Sequence, residues 1–276
     1  MVNVFIVGEA PTLVDVFKLY FDRRDRPIVN IEIDQLALPP RSDDDVAAIV
    51  IVDCANQLGG AVLPFTAFKP LIDDCAAREW PVLMLSDSRV FAAGNQRYRE
   101  RDLAIPASAE GEILLQCEHY LAEQTERHVI LRTGPLLAAS GTNLLTYFVR
   151  QMQEGGDVLA ATEPRFCPIS IFDLARVVAA ICDQVQCAAE CWGIYHYHSS
   201  DTATLYEFAE VVLAAASQYW NLSDKAHLKA DAMSFHSSSF PIMNCQKIRD
   251  TFGIQQTQWR KAIPDLLKQM QMGEPR

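Results

Sequence analysis

The sequence predicts an α/β fold, in which a Rossmann-like, doubly wound parallel sheet carries helices on both faces. Two observations support this prediction. Short apolar runs of strand length alternate with longer amphipathic segments along the chain, as they do in parallel sheets whose strands are joined by helices. Half of the 276 residues are hydrophobic, which provides the sizeable core that such a sheet requires.

The individual elements follow from the spacing of the apolar residues. Continuous or alternating apolar runs predict strands at Val2–Val7, Ile28–Ile33, Ala47–Asp53, Pro81–Leu85, Val129–Leu131 and Gly193–His198. Apolar residues three and four positions apart predict helices at Thr12–Arg23, Phe68–Glu79, Gly111–Gln124, Asn143–Glu154, Ile171–Val185, Leu205–Tyr219, Cys245–Phe252 and Trp259–Met270. This alternation predicts that the strands run parallel.

The charge of the chain restricts its partners. The formal net charge is −11, and a surface of that sign repels nucleic acids and anionic membranes, so neither is a predicted partner. The first apolar run lacks a basic flank, and no stretch reaches the roughly 18 apolar residues of a membrane span. We therefore expect a cytoplasmic protein. The eight cysteines form no CxxC pair, and no metal site is predicted.

The turn after the first strand is where a dinucleotide-binding fold holds pyrophosphate, on closely spaced glycines and the start of a helix. In this turn Gly8 is the one glycine present. Pro11 lacks a backbone N–H that could donate to phosphate, and Val14 adds a branched side chain where helix and strand usually pack closely. Glu9 adds negative charge. The turn therefore predicts that NAD(H) and NADP(H) bind weakly or not at all.

Several short motifs lie in order over nearly the whole chain. They are Ser86–Phe91 with Gly94, Tyr98, Glu100, Asp102 and Pro106, then Ile130–Gly134 with Asn143, Pro168–Ser170 with Asp173 and Leu174, Gly193–His196, Tyr206–Ala209, and Lys247–Ile254 with Trp259 and Arg260. In their order and spacing they resemble dTDP-4-dehydrorhamnose reductase and its relatives, which are extended short-chain dehydrogenases. The resemblance implies a Rossmann-type domain, a smaller C-terminal substrate lobe, and reduction of a nucleotide-linked keto-sugar by NAD(P)H.

The same resemblance places substitutions at the positions that carry the chemistry. These reductases use a tyrosine as proton donor and a lysine four residues later, and the two positions hold Glu110 and Leu114. The serine or threonine that polarises the carbonyl falls on Asp87, beside Ser86. A carboxylic acid donates a proton only where burial keeps it protonated, and leucine cannot replace an ammonium group. The sequence thus predicts no catalytic residue, and a rebuilt site would use Ser86, Asp87 and Glu110.

Three functions remain open on this basis. The main prediction is a non-catalytic relative that uses no cofactor and binds a nucleotide, a sugar nucleotide or a protein partner. The first alternative is an active reductase or epimerase with a rebuilt site and bound NAD(P). The second alternative is a structural or assembly subunit without a small ligand, and a homo-oligomer is compatible with these predictions.

The resemblance also predicts how the chain is divided and where a ligand lies. Residues 1–134 are expected to form the nucleotide-binding domain, and residues 135–276 the substrate lobe, interleaved with the last strands of the sheet. Ligands of open α/β sheets bind beyond the carboxyl ends of the strands, and arginine suits a bidentate phosphate contact. The predicted ligand residues in the cleft between the two regions are Arg132, Asn143, Arg165 and Tyr197.

Overall fold

The structure of the protein is a computed structural model that describes residues 3–31, 38, 48–92, 97–187, 189–222, 225–231 and 240–273. Its strands are β1 (Asn3–Val7), β2 (Ile28–Ile31), β3 (Ala48–Asp53), β4 (Val82–Asp87), β5 (His128–Thr133), β6 (Leu136–Leu137), β7 (Gly156–Ala160), β8 (Ile169–Ser170), β9 (Gly193–Tyr197) and β10 (Ala226–Ala230). Its helices are α1 (Pro11–Asp22), α2 (Phe65–Ala77), α3 (Ala109–Gln124), α4 (Leu144–Glu154), α5 (Ile171–Gln186), α6 (Leu205–Ala216), α7 (Gln246–Phe252) and α8 (Ile263–Gly273), with 3-10 helices at Ser88–Val90 and Trp259–Ala262.

The central sheet has its strands side by side in the order β2-β1-β3-β4-β5-β9, and every neighbouring pair is parallel. All residues of β3, β4 and β5 are buried, because both faces of the sheet are covered. Successive side chains of β3 enter different cores: Ile51 packs among residues of α1 and α5, whereas Val50 and Val52 pack among residues of α2 and α3. This arrangement confirms the doubly wound α/β fold that the sequence predicts.

Strands β4 and β5 continue beyond the apolar runs that predict them. Those runs end at Leu85 and Leu131, but the strands go on to Asp87 and Thr133. The polar residues at both strand ends are buried, and their side chains find partners inside the protein. A polar residue with a buried partner does not end a strand, although it ends the apolar pattern.

The C-terminal lobe contains a two-stranded parallel sheet of β7 and β10, on which α4 and α6 pack. Its interior is filled by aromatic rings around Phe208, whose centroid lies 6.0 Å from that of Phe148 and 5.1 Å from that of Trp259. Strand β9 belongs to the same half of the sequence, but it pairs with β5 in the central sheet. The predicted regions 1–134 and 135–276 are thus interleaved in space, and the boundary at residue 134 stays a prediction.

In the part of the chain that the structure describes, no helix is long and apolar enough to cross a membrane. Within the same part, no group of three or more His, Cys, Asp and Glu side chains could hold a metal ion. Four residues of the predicted strands lie outside the described residues: Val2, Glu32, Ile33 and Ala47.

Candidate functional site

A cavity of about 260 Å³ opens at the carboxyl edge of the central sheet, where the chain leaving β3, β4 and β5 faces the C-terminal lobe. Ligands of open α/β sheets bind at this edge. The described lining residues combine one cation with amides, hydroxyls and rings: Asn56, Gln57, Gly60, Arg89, Pro135, Leu136, Thr142, Asn143, Leu144, Tyr147 and Phe240. Such a lining suits a polar ligand that carries an anionic group and a flat ring.

Two larger hollows lie elsewhere on the protein. One of about 460 Å³ is at the opposite edge of the sheet, beside Ile49 and Pro81. The other, of about 660 Å³, is an open groove bordered by α1, α5 and α8. The smaller cavity is the candidate site, because its position in the fold rather than its volume matches where this class of sheet binds ligands.

Arg89 is fixed at the wall of the candidate cavity by the 3-10 helix that follows β4. Its Nε donates to the Asp87 carboxylate at 2.8 Å, and its Nη2 lies 2.6 Å from the same carboxylate and donates to the Ala55 carbonyl at 3.0 Å. Burial opposes the charged guanidinium, but Asp87 raises the pKa of Arg89 above its usual value. Arg89 is therefore a permanently charged group that the protein holds in one orientation.

Glu110, which the resemblance predicts to stand at the position of the proton-donating tyrosine, lies in the first turn of α3. The Gly111 N–H donates to the Ser108 hydroxyl and so caps the helix. A side chain at Gly111 would come within 2.3 Å of the Arg89 carbonyl oxygen, so glycine allows this turn to pack against that backbone. Hydrogen bonds from its own backbone N–H and from Ser108 lower the pKa of the exposed Glu110 carboxyl. Glu110 is thus a carboxylate at neutral pH, unsuited to donate a proton.

Leu114, which the resemblance predicts to stand at the position of the lysine, is completely buried in the core between α3 and the sheet. Because α3 contains no lysine, this helix supplies no ammonium group to the cavity. Ser86 and Asp87 are also completely buried. The Ser86 hydroxyl donates to Glu118 at 2.6 Å, and Asp87 binds Arg89. Both side chains are therefore engaged within the protein rather than directed at the cavity.

Arg132, a predicted ligand residue, forms a buried ion pair instead of lining the cavity. Its guanidinium donates to Glu118 with a shortest distance of 2.5 Å, and the two side chains are 3% and 1% exposed. The ring of Phe91 lies 5.0 Å from the guanidinium. Burial and the charge of Arg132 lower the pKa of His196 well below its usual value, so the neighbouring imidazole is neutral. Arg132 therefore neutralises Glu118 inside the core.

Arg165 and Tyr197, two further predicted ligand residues, also lie away from the described lining of the cavity. Arg165 forms an exposed ion pair with Glu207 at 2.6 Å. Tyr197 is completely buried, donates to Asp173 at 2.7 Å and accepts from Arg176 at 2.9 Å. Their participation in ligand binding stays a prediction.

Asn143 is the predicted ligand residue that does line the cavity. Its side chain is also the cap of α4: Oδ1 accepts the N–H groups of Leu145 and Thr146 at 3.0 and 3.3 Å, and Nδ2 donates to the Ala138 carbonyl at 3.2 Å. The cap orients the first turn of α4, which carries Tyr147 into the same cavity.

We expect Asn143→Ala to lower the free energy of unfolding by about 1 kcal/mol, because the first turn of α4 loses its side-chain acceptor. Asn143→Ser should keep most of that stability, since a serine hydroxyl can accept the same N–H groups. Urea denaturation followed by circular dichroism measures both variants. Equal losses for alanine and serine would contradict the capping role.

Three cavity residues, Gln57, Arg89 and Tyr147, were not predicted from the sequence. Arg89 lies inside the Ser86–Phe91 stretch that carries the family resemblance, but nothing in that stretch distinguishes the arginine as a ligand residue. Gln57 closely follows β3, and the rule that strand ends face the ligand could have identified it. Tyr147 enters the cavity because Asn143 caps α4 just before it, and no sequence pattern signals that contact.

The crevice where a cofactor diphosphate would lie is beside Gly8. A side-chain carbon at Gly8 would come within 3.2 Å of the Asp53 Cβ, so glycine permits this close approach. Helix α1 begins at Pro11 without a side-chain cap. Burial raises the pKa of Asp53 to about 7, and the charges of Asp87 and Glu9 add to the shift. Carboxyl groups thus surround a place that would have to accept a diphosphate.

The chain's own side chains also cross this crevice. Gln57 hydrogen-bonds to groups at the end of β5, and the hydroxyls of Thr12 and Ser140 lie 2.5 Å apart. Gln57 also accepts the Leu136 N–H, so both side chains connect the region up to residue 134 with the region that follows it. Because of these contacts and the nearby carboxyl groups, the residues of the crevice, as they are arranged here, do not fit a dinucleotide.

Comparison with known proteins decides the family. Residues 45–272 match the model of the RmlD substrate binding domain. The chain belongs to this family. Among curated relatives, the dTDP-4-dehydrorhamnose reductase of Aggregatibacter actinomycetemcomitans is 23% identical over 193 residues, which cover 67% of this chain and 65% of that protein. The match thus spans slightly less than two thirds of the relative's length.

Solved structures related to the RmlD family have the same fold. A dTDP-4-dehydrorhamnose reductase from Clostridium acetobutylicum superposes with a TM-score of 0.78 at 16% identity, covering 98% of this chain and 100% of that one. The corresponding reductase from Bacillus anthracis, solved in complex with NADP, also gives 0.78 at 16% identity, covering 98% and 99%. These neighbours confirm the predicted fold.

The comparisons confirm the predicted family and bear on the predicted function. They favour the alternative, an active sugar-nucleotide reductase, over the main prediction of a non-catalytic relative. They do not support the prediction that no cofactor is used, because a reductase with this fold was solved with NADP.

Proposed function

We propose that this chain is a sugar-nucleotide reductase of the RmlD family that protonates its substrate with a residue other than the usual tyrosine. Family membership supports the reaction class and the substrate class. The observation that carries the proposal is that Arg89 and Tyr147 line one cavity at the carboxyl edge of the sheet. They are a fixed cation and a phenol, the two kinds of group that α3 lacks at Glu110 and Leu114.

Each proposed role follows from the chemistry of the side chain. Arg89 stays charged and oriented because Asp87 holds it, so it can stabilise an oxyanion or contact a phosphate. The Tyr147 hydroxyl can donate a proton to the oxygen that gains charge when a carbonyl is reduced. Phe240 offers a ring against which a nucleotide base can stack. NAD(P)H, the reductant of the family, requires the crevice beside Gly8 to open.

A second candidate function is binding of a sugar nucleotide without turnover. The buried Leu114 and the occupied crevice favour it, because both remove groups or space that reduction requires. In that case Arg89 and Phe240 would still bind the ligand, and Tyr147 would contribute a contact rather than a proton. The two candidates predict the same ligand in the same cavity and differ in turnover.

We expect wild-type protein to oxidise NADPH in the presence of a dTDP-4-keto-sugar, and Tyr147→Phe to turn over at least about 10²-fold more slowly, because general acid catalysis is lost. The same variant should bind dTDP-glucose within about threefold of wild type, since its ring remains. Absorbance of the nicotinamide and isothermal titration measure the two quantities. Glu110→Gln is the matched comparison at the family's tyrosine position and should retain turnover.

Different outcomes separate the two candidates. Binding of dTDP-glucose without NADPH oxidation by the wild type would replace the reductase with the non-catalytic binding protein. Failure to bind any dTDP- or UDP-linked sugar would overturn both. Turnover that Glu110→Gln abolishes and Tyr147→Phe preserves would move the proton donor to the rebuilt site predicted from the sequence.

A further inference from the structure

The carboxamide of Gln57 is bound by the chain itself at the carboxyl end of β5. Its Oε1 accepts the Leu136 N–H at 2.6 Å, and its Nε2 donates to the Thr133 hydroxyl at 3.2 Å and to the Gly134 carbonyl at 3.3 Å. Oxygen and nitrogen of the amide are thus both satisfied by groups of one short segment. These groups together form a binding site for a primary carboxamide.

Hydrogen bonds anchor the loop that carries Gln57 on both sides of the crevice. On one side the Asn56 amide donates to Glu9, in the turn after β1, at 3.3 Å. On the other side the Thr142 N–H donates to the Leu58 carbonyl at 3.0 Å. The loop therefore spans from the first βα turn to the C-terminal lobe, and Gln57 lies between these two attachments.

The approach of the two halves at this loop is close. Gly141 has φ +79°, a conformation that favours glycine, and a side chain there would come within 2.8 Å of the Leu58 carbonyl oxygen. Just before it, Ser140 meets Thr12 across the crevice. Several neighbouring contacts therefore close the crevice, and the hydrogen bonds that position Gln57 are part of this set.

We infer that Gln57 is an intramolecular occupant of the cofactor crevice, which a ligand carrying a primary carboxamide must displace. The nicotinamide ring carries that group, and it would compete for the Leu136 N–H and the Gly134 carbonyl. If the closed arrangement predominates, the apparent affinity for NADPH is reduced by the fraction of protein that is open. The inference rests on the proposed function for the identity of the ligand, but its test measures binding and needs no turnover.

The test is a pair of titrations on the full chain. Gln57→Ala should bind NADPH at least about tenfold more tightly than wild type, measured by calorimetry or by nicotinamide fluorescence, because the competing amide is gone. Affinity for 2′-phospho-ADP-ribose should change much less, because that probe lacks the nicotinamide. Gln124→Ala, at an exposed glutamine at the end of α3, is the matched control and should leave both affinities unchanged.

Several results would overturn the inference. Circular dichroism first establishes that Gln57→Ala is folded. A folded variant whose NADPH affinity is unchanged, weaker or still undetectable at millimolar concentration would exclude competition by Gln57. An equal gain for NADPH and 2′-phospho-ADP-ribose would also exclude it, since the effect would then be general opening of the loop. Binding of dTDP-glucose to the wild type, measured separately, tests the proposed function, so its failure is distinguishable from failure of this inference.

Discussion

Replacing Glu118 with alanine should lower the free energy of unfolding by about 3–5 kcal/mol, because it leaves a buried guanidinium without its carboxylate. Arg132 is 3% exposed, so water cannot take the place of the lost partner. His196 beside it cannot replace the carboxylate, because an imidazole carries no negative charge. Ser86 loses its acceptor in the same step. A loss of this size would consume much of the roughly 5–15 kcal/mol by which a typical domain is stable.

A double variant tests whether the loss of stability comes from the ion pair itself. Glu118→Leu combined with Arg132→Met removes both charges, and apolar replacements of a buried pair are often neutral or stabilising by about 1–4 kcal/mol. Guanidinium chloride denaturation of the wild type, Glu118→Leu, Arg132→Met and the double variant completes the cycle, with Glu118→Ala measured beside them. If the double variant is as unstable as Glu118→Ala, the cost comes from packing and the ion pair is not its cause.

Replacing Asp53 with asparagine should stabilise the protein by about 2–4 kcal/mol at pH 8 and leave its stability near that of the wild type at pH 4. The pKa of Asp53 is about 7 in the folded protein against 3.8 for an exposed aspartate. Between these values the folded state holds a proton that the unfolded state has released. Wild-type stability therefore falls as the pH rises from about 4 to about 7. The asparagine amide releases no proton in this range, so the variant does not lose stability in this way.

The measurement is urea denaturation of wild type and Asp53→Asn at pH 4, 6 and 8. Asparagine can still accept the Asn56 N–H, which Asp53 accepts at 3.0 Å, so the loop after β3 keeps its anchor. Asp15→Asn, at an exposed position of α1, is the control for the loss of one negative charge and should shift stability by less than about 0.5 kcal/mol. A stability difference that does not grow with pH would mean that Asp53 is ionised throughout.

Prediction from sequence was strongest where burial on both faces of the sheet forces continuous apolar runs. Such runs located β3 within one residue of its observed start and identified the alternation of strands and helices that determines the fold. It was weakest where buried polar residues extend an element, as in the last residues of β4 and β5. The pattern of hydrophobic residues gives no information about a polar partner that lies far along the chain. Glu118, which holds both Ser86 and Arg132, is such a partner.

The site was harder to predict than the fold, for a related reason. Residue types that suit ligand binding also suit internal pairing, and the structure uses Arg132 and Tyr197 for the latter. The observed strand bounds separate the two sets, because Arg89 and Gln57 follow the ends of β4 and β3, whereas Arg132 and Tyr197 lie within β5 and β9. The departures from the family at Glu110 and Leu114 stay a prediction from the resemblance. Under the proposed function, their consequence for activity depends on Tyr147, which the sequence did not identify.

The participation of β9 in the central sheet bears on how the chain avoids aggregation. Along its length β5 is paired on one side by β4 and on the other by β9, with Val129 opposite Gly193 and Thr133 opposite Tyr197. A fragment ending at residue 134 would keep β5 but expose its backbone N–H and C=O groups along a buried, mainly apolar strand. Open edges of that kind recruit strands from other molecules. The later half of the chain thus protects the earlier half from self-association.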